Sequence, residues 1–242
     1  MRQVTHFLFP PWPNIVLRTF HPILLPGLYS FSTFGLVYFA ELNKLNKLNS
    51  RTLNTGFTTE TLGRRLIIRF DRPEIMNPLS IHVLNNLKSV FNNIPEIIES
   101  TIFIGTGNVF ASGADLREIA AVEPQAAREF SFRGQDLMNQ IATVQPMTIA
   151  AINGYCFGGG LDLALACDRR IASPGAFFSH PGSGLGIITG WGGTQRLPWL
   201  VGQANALEMF FTARRIDASE ALRIGLVDAI VDDALEAAQS LS

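Results

Sequence analysis

Scarce cysteine, no acid among the first forty residues and no basic stripe are what this 242-residue sequence shows first. Its two cysteines, Cys156 and Cys167, sit in apolar stretches with no CxxC spacing and no histidine-rich company. That excludes a disulfide framework and a zinc site, no metal is expected, and two buried thiols in a reducing, cytoplasmic compartment are. A net charge of −1 without a Lys/Arg stripe excludes nucleic acid as the main partner. Two phosphate-binding fingerprints are missing as well. Neither "GTGNVFASG" nor "GYCFGGG" reads G-x-G-x-x-G, and GxxxxGK[ST] does not occur, so a Rossmann dinucleotide site and a P-loop are both out.

What remains is a globular balance of 47% hydrophobic and 16% charged residues, enough for one core domain with an appendage. The chain divides at residues 57 and 58. The Phe- and Pro-rich segment 1–57 is expected to be a poorly ordered or targeting-like extension. Its apolar run 22–40 has the length of a membrane span but is interrupted by Pro26, Gly27, Ser30 and Gly35. A transmembrane anchor and a targeting segment both stay open there. Residues 58–242 alternate strand and helix signals. "RRLIIRF" (64–70), "TIFIGTG" (101–107) and "MTIAAING" (147–154) read as strands. Ser80 reads as the N-cap of a helix over 80–95, 123–143 as a long amphipathic helix, and 159–167 as a third. That rhythm implies an α/β domain with parallel pairing.

Two loop-to-helix junctions resemble each other. In "ASGADLREI" small residues precede a short helix from Asp115; in "CFGGGLDLALA" Gly158-Gly159-Gly160 precede a longer one. The start of a helix leaves backbone N–H groups unpartnered and favours negative charge. Two such donors aimed at one oxygen make an oxyanion hole, and glycine would let a carbonyl approach where a Cβ would block it. The bland alternative is a tight turn that needs glycine for packing alone.

"GTGNVFASGADLREI", "PMTIAAINGYCFGGGLDLALACDRRIAS" and "GWGGTQRLPWLVG", in this order and spacing over residues 62–232, together resemble the enoyl-CoA hydratase/isomerase (crotonase) family. The resemblance implies an α/β spiral of ββα units, the ClpP/crotonase fold, with a shortened C-terminal helical region. It implies an acyl-CoA thioester as substrate, no cofactor beyond the coenzyme A that substrate carries, and a trimer-based homo-oligomer. It places the enolate-holding N–H groups at Ala114 and Gly159, and Ser112, Asp115 and Leu116 along the thioester. Met76, Pro78, Phe157, Pro181 and Gly182 fall at substrate-binding positions.

Departures from the pattern bear on the reaction. The family's hydratases carry two glutamates flanking a water. The "GGG" anchor puts the first at Asp162, one methylene shorter, and "GGTQRL" puts the second at Gly182, which has no side chain. His180 is expected to share a face with residue 182 if "SHPG" is extended, and to be either a catalytic imidazole or a packing residue. Asp162 is expected to move a proton, or merely to favour the helix dipole. Asp168 is expected to end its helix, Glu118 to sit on a solvated face, and His82 to be surface or packing. The expected activity is hydration or isomerisation of an acyl-CoA through a stabilised enolate. Alternatives are decarboxylation, C–C or thioester hydrolysis on the same fold, and a non-catalytic acyl-CoA-binding remnant.

Overall fold

The computed structural model describes residues 55–241, so the apolar run 22–40 and the readings attached to it lie outside the described residues. The first element, β1 (Phe57–Leu62), folds back antiparallel on β2 (Arg65–Phe70), with Phe57 opposite Phe70. The hairpin loop opens on Gly63, whose φ of 62° is the positive value that tight hairpins demand. Phe57 is 4% exposed, so a boundary drawn between residues 57 and 58 cuts through a core strand. Phe57→Ala is expected to lower the unfolding free energy by about 3 kcal/mol, read from urea denaturation.

The chain continues through β3 (Pro78–Leu79), α1 (Ile81–Phe91), β4 (Ser100–Ile104), β5 (Val109–Ala111), β6 (Gly113–Ala114), α2 (Leu116–Ala120) and α3 (Ala127–Thr143). Then follow β7 (Met147–Ile152), β8 (Tyr155–Phe157), α4 (Gly159–Ala166), β9 (Arg169–Ala172) and β10 (Phe177–Ser179). The last part holds α5 (Gly193–Val201), α6 (Gln203–Thr212), β11 (Ile216–Asp217), α7 (Ala218–Arg223), β12 (Ala229–Ile230) and α8 (Ala234–Ser240).

One sheet runs β1-β2-β4-β7-β9-β12 and is parallel from β2 onward; a second runs β11-β10-β8-β5. Three successive units repeat one path. The first strand (β4, β7, β9) enters the large sheet, the second (β5, β8, β10) enters the small one, and a helical segment follows. This is the expected spiral of ββα units.

Both faces of the sheet are covered at its centre, which is why β4 and β7 are buried along nearly their whole length, whereas the edge strand β1 alternates. Leu66, Ile68, Phe103, Ala150 and Ile152 join the core that includes Leu87, Leu137 and Leu161 of α1, α3 and α4. Ile67, Ile102, Ile149 and Ile171 face the other way, against Ala234 and Ala238 of α8. Helix α8 (Ala234–Ser240) thus covers a core face.

Ser80 caps α1 as expected, its Oγ accepting from the Val83 N–H at 3.3 Å. Two acids do more than the sequence suggested. Glu118 is half-buried, and its Oε2 accepts from the Ile81 N–H at 2.8 Å, so it serves the start of α1 from a neighbouring helix instead of facing solvent. Asp168 follows α4 and accepts from the N–H and the hydroxyl of Thr148 (2.7 and 2.9 Å), tying that helix end to β7. His82 is exposed.

Candidate active site

The two loop-to-helix junctions meet backbone to backbone. Gly113, at φ 96°, lies so close to the Gly159 nitrogen that a Cβ would collide with it. Gly158 adopts φ 51°, ψ −122°, a region open essentially to glycine alone. Its N–H donates to the Ser179 carbonyl of β10 (2.9 Å), and its own carbonyl accepts the Asp162 N–H (3.0 Å) to start α4. The N–H groups of Gly159, Gly160 and Leu161 therefore precede the first intrahelical bond. A Cβ on Gly160 would run into Ala111 of β5, and one on Gly159 into the Trp191 ring. The three glycines answer to three demands: a backbone conformation, close approach at the junction, and packing. The packing reading holds for Gly160, while Gly159 faces a cavity.

That cavity measures about 310 Å³. Its polar end is formed by Ser112, Ala114, Gly158, Gly159, Asp162 and His180, and its apolar walls include Leu116, Ile119, Phe130, Leu185, Ile188 and Trp191. Asp162 lies one turn beyond Gly159 on α4 and is wholly buried. Burial pushes its carboxyl up to about 7, against the opposing pull of the Thr189 hydroxyl, the Trp191 N–H and the Arg196 charge. The Thr189 hydroxyl donates to Asp162 Oδ2. Gly193, the first residue of α5, packs directly on Oδ1, leaving no room there for a Cβ.

His180 Nε2 stands 3.6 Å from Asp162 Oδ1. Its ring rests against Phe210 with centroids 5.1 Å apart, and burial pushes its pKa down to about 4. Around neutral pH the imidazole is therefore uncharged. Asp162 Oδ1 and both ring nitrogens of His180 are buried without a hydrogen-bond partner among the described residues. Buried polar atoms are seldom left so, and a group of this kind in a cavity is a functional signal.

Of the residues singled out from sequence, Ser112, Ala114, Leu116, Gly159, Asp162, His180, Pro181 and Gly182 line this cavity. Four others take supporting positions outside its lining. The Asp115 carboxylate is engaged as the N-cap of α2, accepting from the Arg117 N–H (2.9 Å) and pairing with its guanidinium (2.6 Å). Met76 accepts the Ser112 N–H on its carbonyl (3.0 Å), and Pro78 is buried in β3 beside Gly113 of β6. Phe157 alternates with the core residue Cys156, and its ring lies beside Tyr155 and under the Arg215 guanidinium.

Residues 180 and 182 do not share an extended face as expected, because Pro181–Leu185 form a 3-10 turn. Gly182 accepts the Ile187 N–H (2.9 Å), and a Cβ on it would stand 2.6 Å from the Ile187 carbonyl oxygen. A glutamate at 182 requires the 185–188 segment to shift, so Gly182→Glu is not a simple restoration of a second carboxylate.

Thr189, Trp191 and Gly193, the groups around the Asp162 carboxylate, were not singled out from sequence. They lie in or beside "GWGGTQRL", which served there only as an alignment anchor. The Thr189 hydroxyl just before it and Gly193, its third glycine, at a helix start, were the available signal. Thr189→Val removes a bond that favours the carboxylate. It is expected to move the ionisation of Asp162 further upward, seen as an upward displacement of the limb it controls in a kcat/KM pH profile.

Among the described residues, no helix is long and apolar enough to cross a membrane, and no three His, Cys, Asp or Glu side chains cluster where a metal could sit.

Fold and site define a class: an α/β spiral in which two backbone junctions and a buried acid share one largely apolar cavity. The chain belongs to the enoyl-CoA hydratase/isomerase family, whose profile matches residues 65–240. It is 39% identical over 176 residues to the short-chain-enoyl-CoA hydratase of Clostridium acetobutylicum, covering 72% of this chain and 67% of that one. It is 40% identical over 168 residues to the crotonyl-CoA hydratase of Syntrophomonas wolfei, covering 68% and 65%. The matched part thus spans about two thirds of the length of these relatives. Among solved structures, DspI of Pseudomonas aeruginosa superposes with a TM-score of 0.75 at 36% identity, over 79% of this chain and 81% of that one. An enoyl-CoA hydratase from Bacillus anthracis gives 0.72 at 35%, over 77% and 74%.

Proposed function

We propose that this chain transfers a proton at the α-carbon of an acyl-CoA thioester, in the course of hydrating or isomerising an enoyl-CoA. The thioester oxygen lies between the N–H groups of Ala114 and Gly159, which take up the charge that develops as the enolate forms. Asp162 carries the proton. The observation that carries this reading is the sharing of one cavity by the Gly159 helix start and, one turn later on the same helix, a buried carboxyl shifted to about 7. A group ionising near neutrality can both take and return a proton, which one at 3.8 does poorly. The hydratases to which the chain is similar support the same substrate class. Coenzyme A enters as part of the substrate, and no further cofactor is needed.

A trimer-based assembly in the cytoplasm belongs to this proposal. Trp199 and Phe211, 82% and 77% exposed, are apolar surface that a second copy would cover.

The test is turnover of a panel of 2-enoyl- and 3-enoyl-CoA thioesters, beside calorimetric binding of saturated acyl-CoA. Turnover of an enoyl-CoA is the expected result. Binding without turnover selects the acyl-CoA-binding alternative, and absence of both overturns the substrate class.

A further inference from the structure

We infer that His180 is a catalytic base that activates water for addition to an enoyl-CoA, standing in for the carboxylate that position 182 lacks; this rests on the proposed role of Asp162. The geometry has three parts. His180 and Asp162 face the same cavity with Nε2 and Oδ1 3.6 Å apart. The atoms on both sides of that gap are buried and have no hydrogen-bond partner among the described residues, and unsatisfied polar atoms beside a cavity mark bonds that a bound substrate and its water complete. The remaining Asp162 oxygen is held by Thr189, which orients the carboxyl.

The step balances with water as its one co-reactant. Water adds through its oxygen to the β-carbon while one of its protons passes to the His180 Nε2 lone pair. The β-carbon to α-carbon π electrons move onto the thioester oxygen, giving the enolate. As the carbonyl re-forms, the α-carbon takes the proton of neutral Asp162, and the product is a 3-hydroxyacyl thioester. The imidazolium then returns its proton to the Asp162 carboxylate across the short gap between them, restoring both groups. Burial prepares the starting state by favouring the uncharged form of each partner: an acid at Asp162 and a free lone pair at His180. The other ionisable groups coupled to Asp162 are Arg196, half-buried on α5, and the buried thiol of Cys156 on β8.

The experiment uses the full chain and two assays. Hydration of a short 2-enoyl-CoA is followed by loss of its conjugated absorbance, and exchange of the α-proton of a saturated acyl-CoA is followed in deuterated water. Exchange needs only Asp162 and the paired N–H groups. His180→Gln is expected to lose hydration by about 10²-fold or more and to keep exchange within about threefold. His180→Phe, apolar and placed against Phe210, carries the same expectation if the glutamine variant fails to fold. The parent chain supplies a readout that needs no variant. Hydration consumes the protonated form of Asp162 and should fall above pH about 7, whereas exchange consumes its carboxylate and should rise there. Hydration retained in a folded variant, equal loss of both reactions, or hydration that rises through pH 7 overturns the inference. A parent that exchanges but does not hydrate overturns it while leaving the proposed function intact; a parent that does neither removes both.

Discussion

Asp162→Asn is expected to lower kcat by about 10²–10⁴-fold while making the protein more stable above pH 7. The two effects have one origin. The carboxyl is wholly buried on α4, where desolvation outweighs the Thr189, Trp191 and Arg196 interactions and raises it from 3.8 to about 7. In the folded state the group therefore keeps a proton that the unfolded chain has already lost at the same pH. Stability that is complete below pH about 4 declines as pH rises and is gone once the folded group ionises near 7. The shift corresponds to on the order of 4 kcal/mol. Asparagine has the same shape and no proton to lose, so the variant should overtake the parent progressively between pH 5 and 8 in urea denaturation. His180, pushed down to about 4, contributes the opposite slope, losing stability as pH falls from 6.5 towards 4. The variant should keep that acid-side slope. A variant as active as the parent would remove Asp162 from the chemistry, and a stability difference independent of pH would contradict its burial as an ionisable acid.

Loss of the Gly159 N–H should cost roughly 10²–10³-fold in kcat. Proline at the first position of a helix is compatible with the backbone, so Gly159→Pro removes the donor without breaking α4. The structure adds a complication, because any Cβ at 159 meets the Trp191 ring. The informative comparison is therefore Gly159→Pro with Trp191→Ala against Trp191→Ala alone, both checked for folding by circular dichroism. In that pair the indole is already absent, and the difference in kcat reports the missing N–H. Equal activity in the two would take Gly159 out of the oxyanion hole.

Much of this site was legible along the chain, for reasons that are local. Ser80 caps α1 because a side-chain oxygen before a helix has few better partners than the orphan N–H groups next to it. The Gly158-Gly159-Gly160 run was readable as a strand-to-helix junction, and the buried strands β2, β4 and β7 as continuous apolar runs, because each feature is carried by neighbouring residues. Several distinct motifs in fixed order carried the resemblance to the family, and the ββα spiral followed from that resemblance. The decisive contacts were different in kind. His180 reaches Asp162 only because Gly158 at the start of α4 is bonded to Ser179 at the end of β10. Thr189 and Gly193 reach the same carboxyl because α5 packs back on α4. Glu118 serves α1 rather than solvent, and Gly182 is closed to any side chain by the Ile187 carbonyl. No periodicity encodes such pairings, since they depend on how sheets and helices stack after the local elements exist. The ionisation of Asp162 and His180 follows from that stacking too, because desolvation is a property of the packed interior and not of the residue.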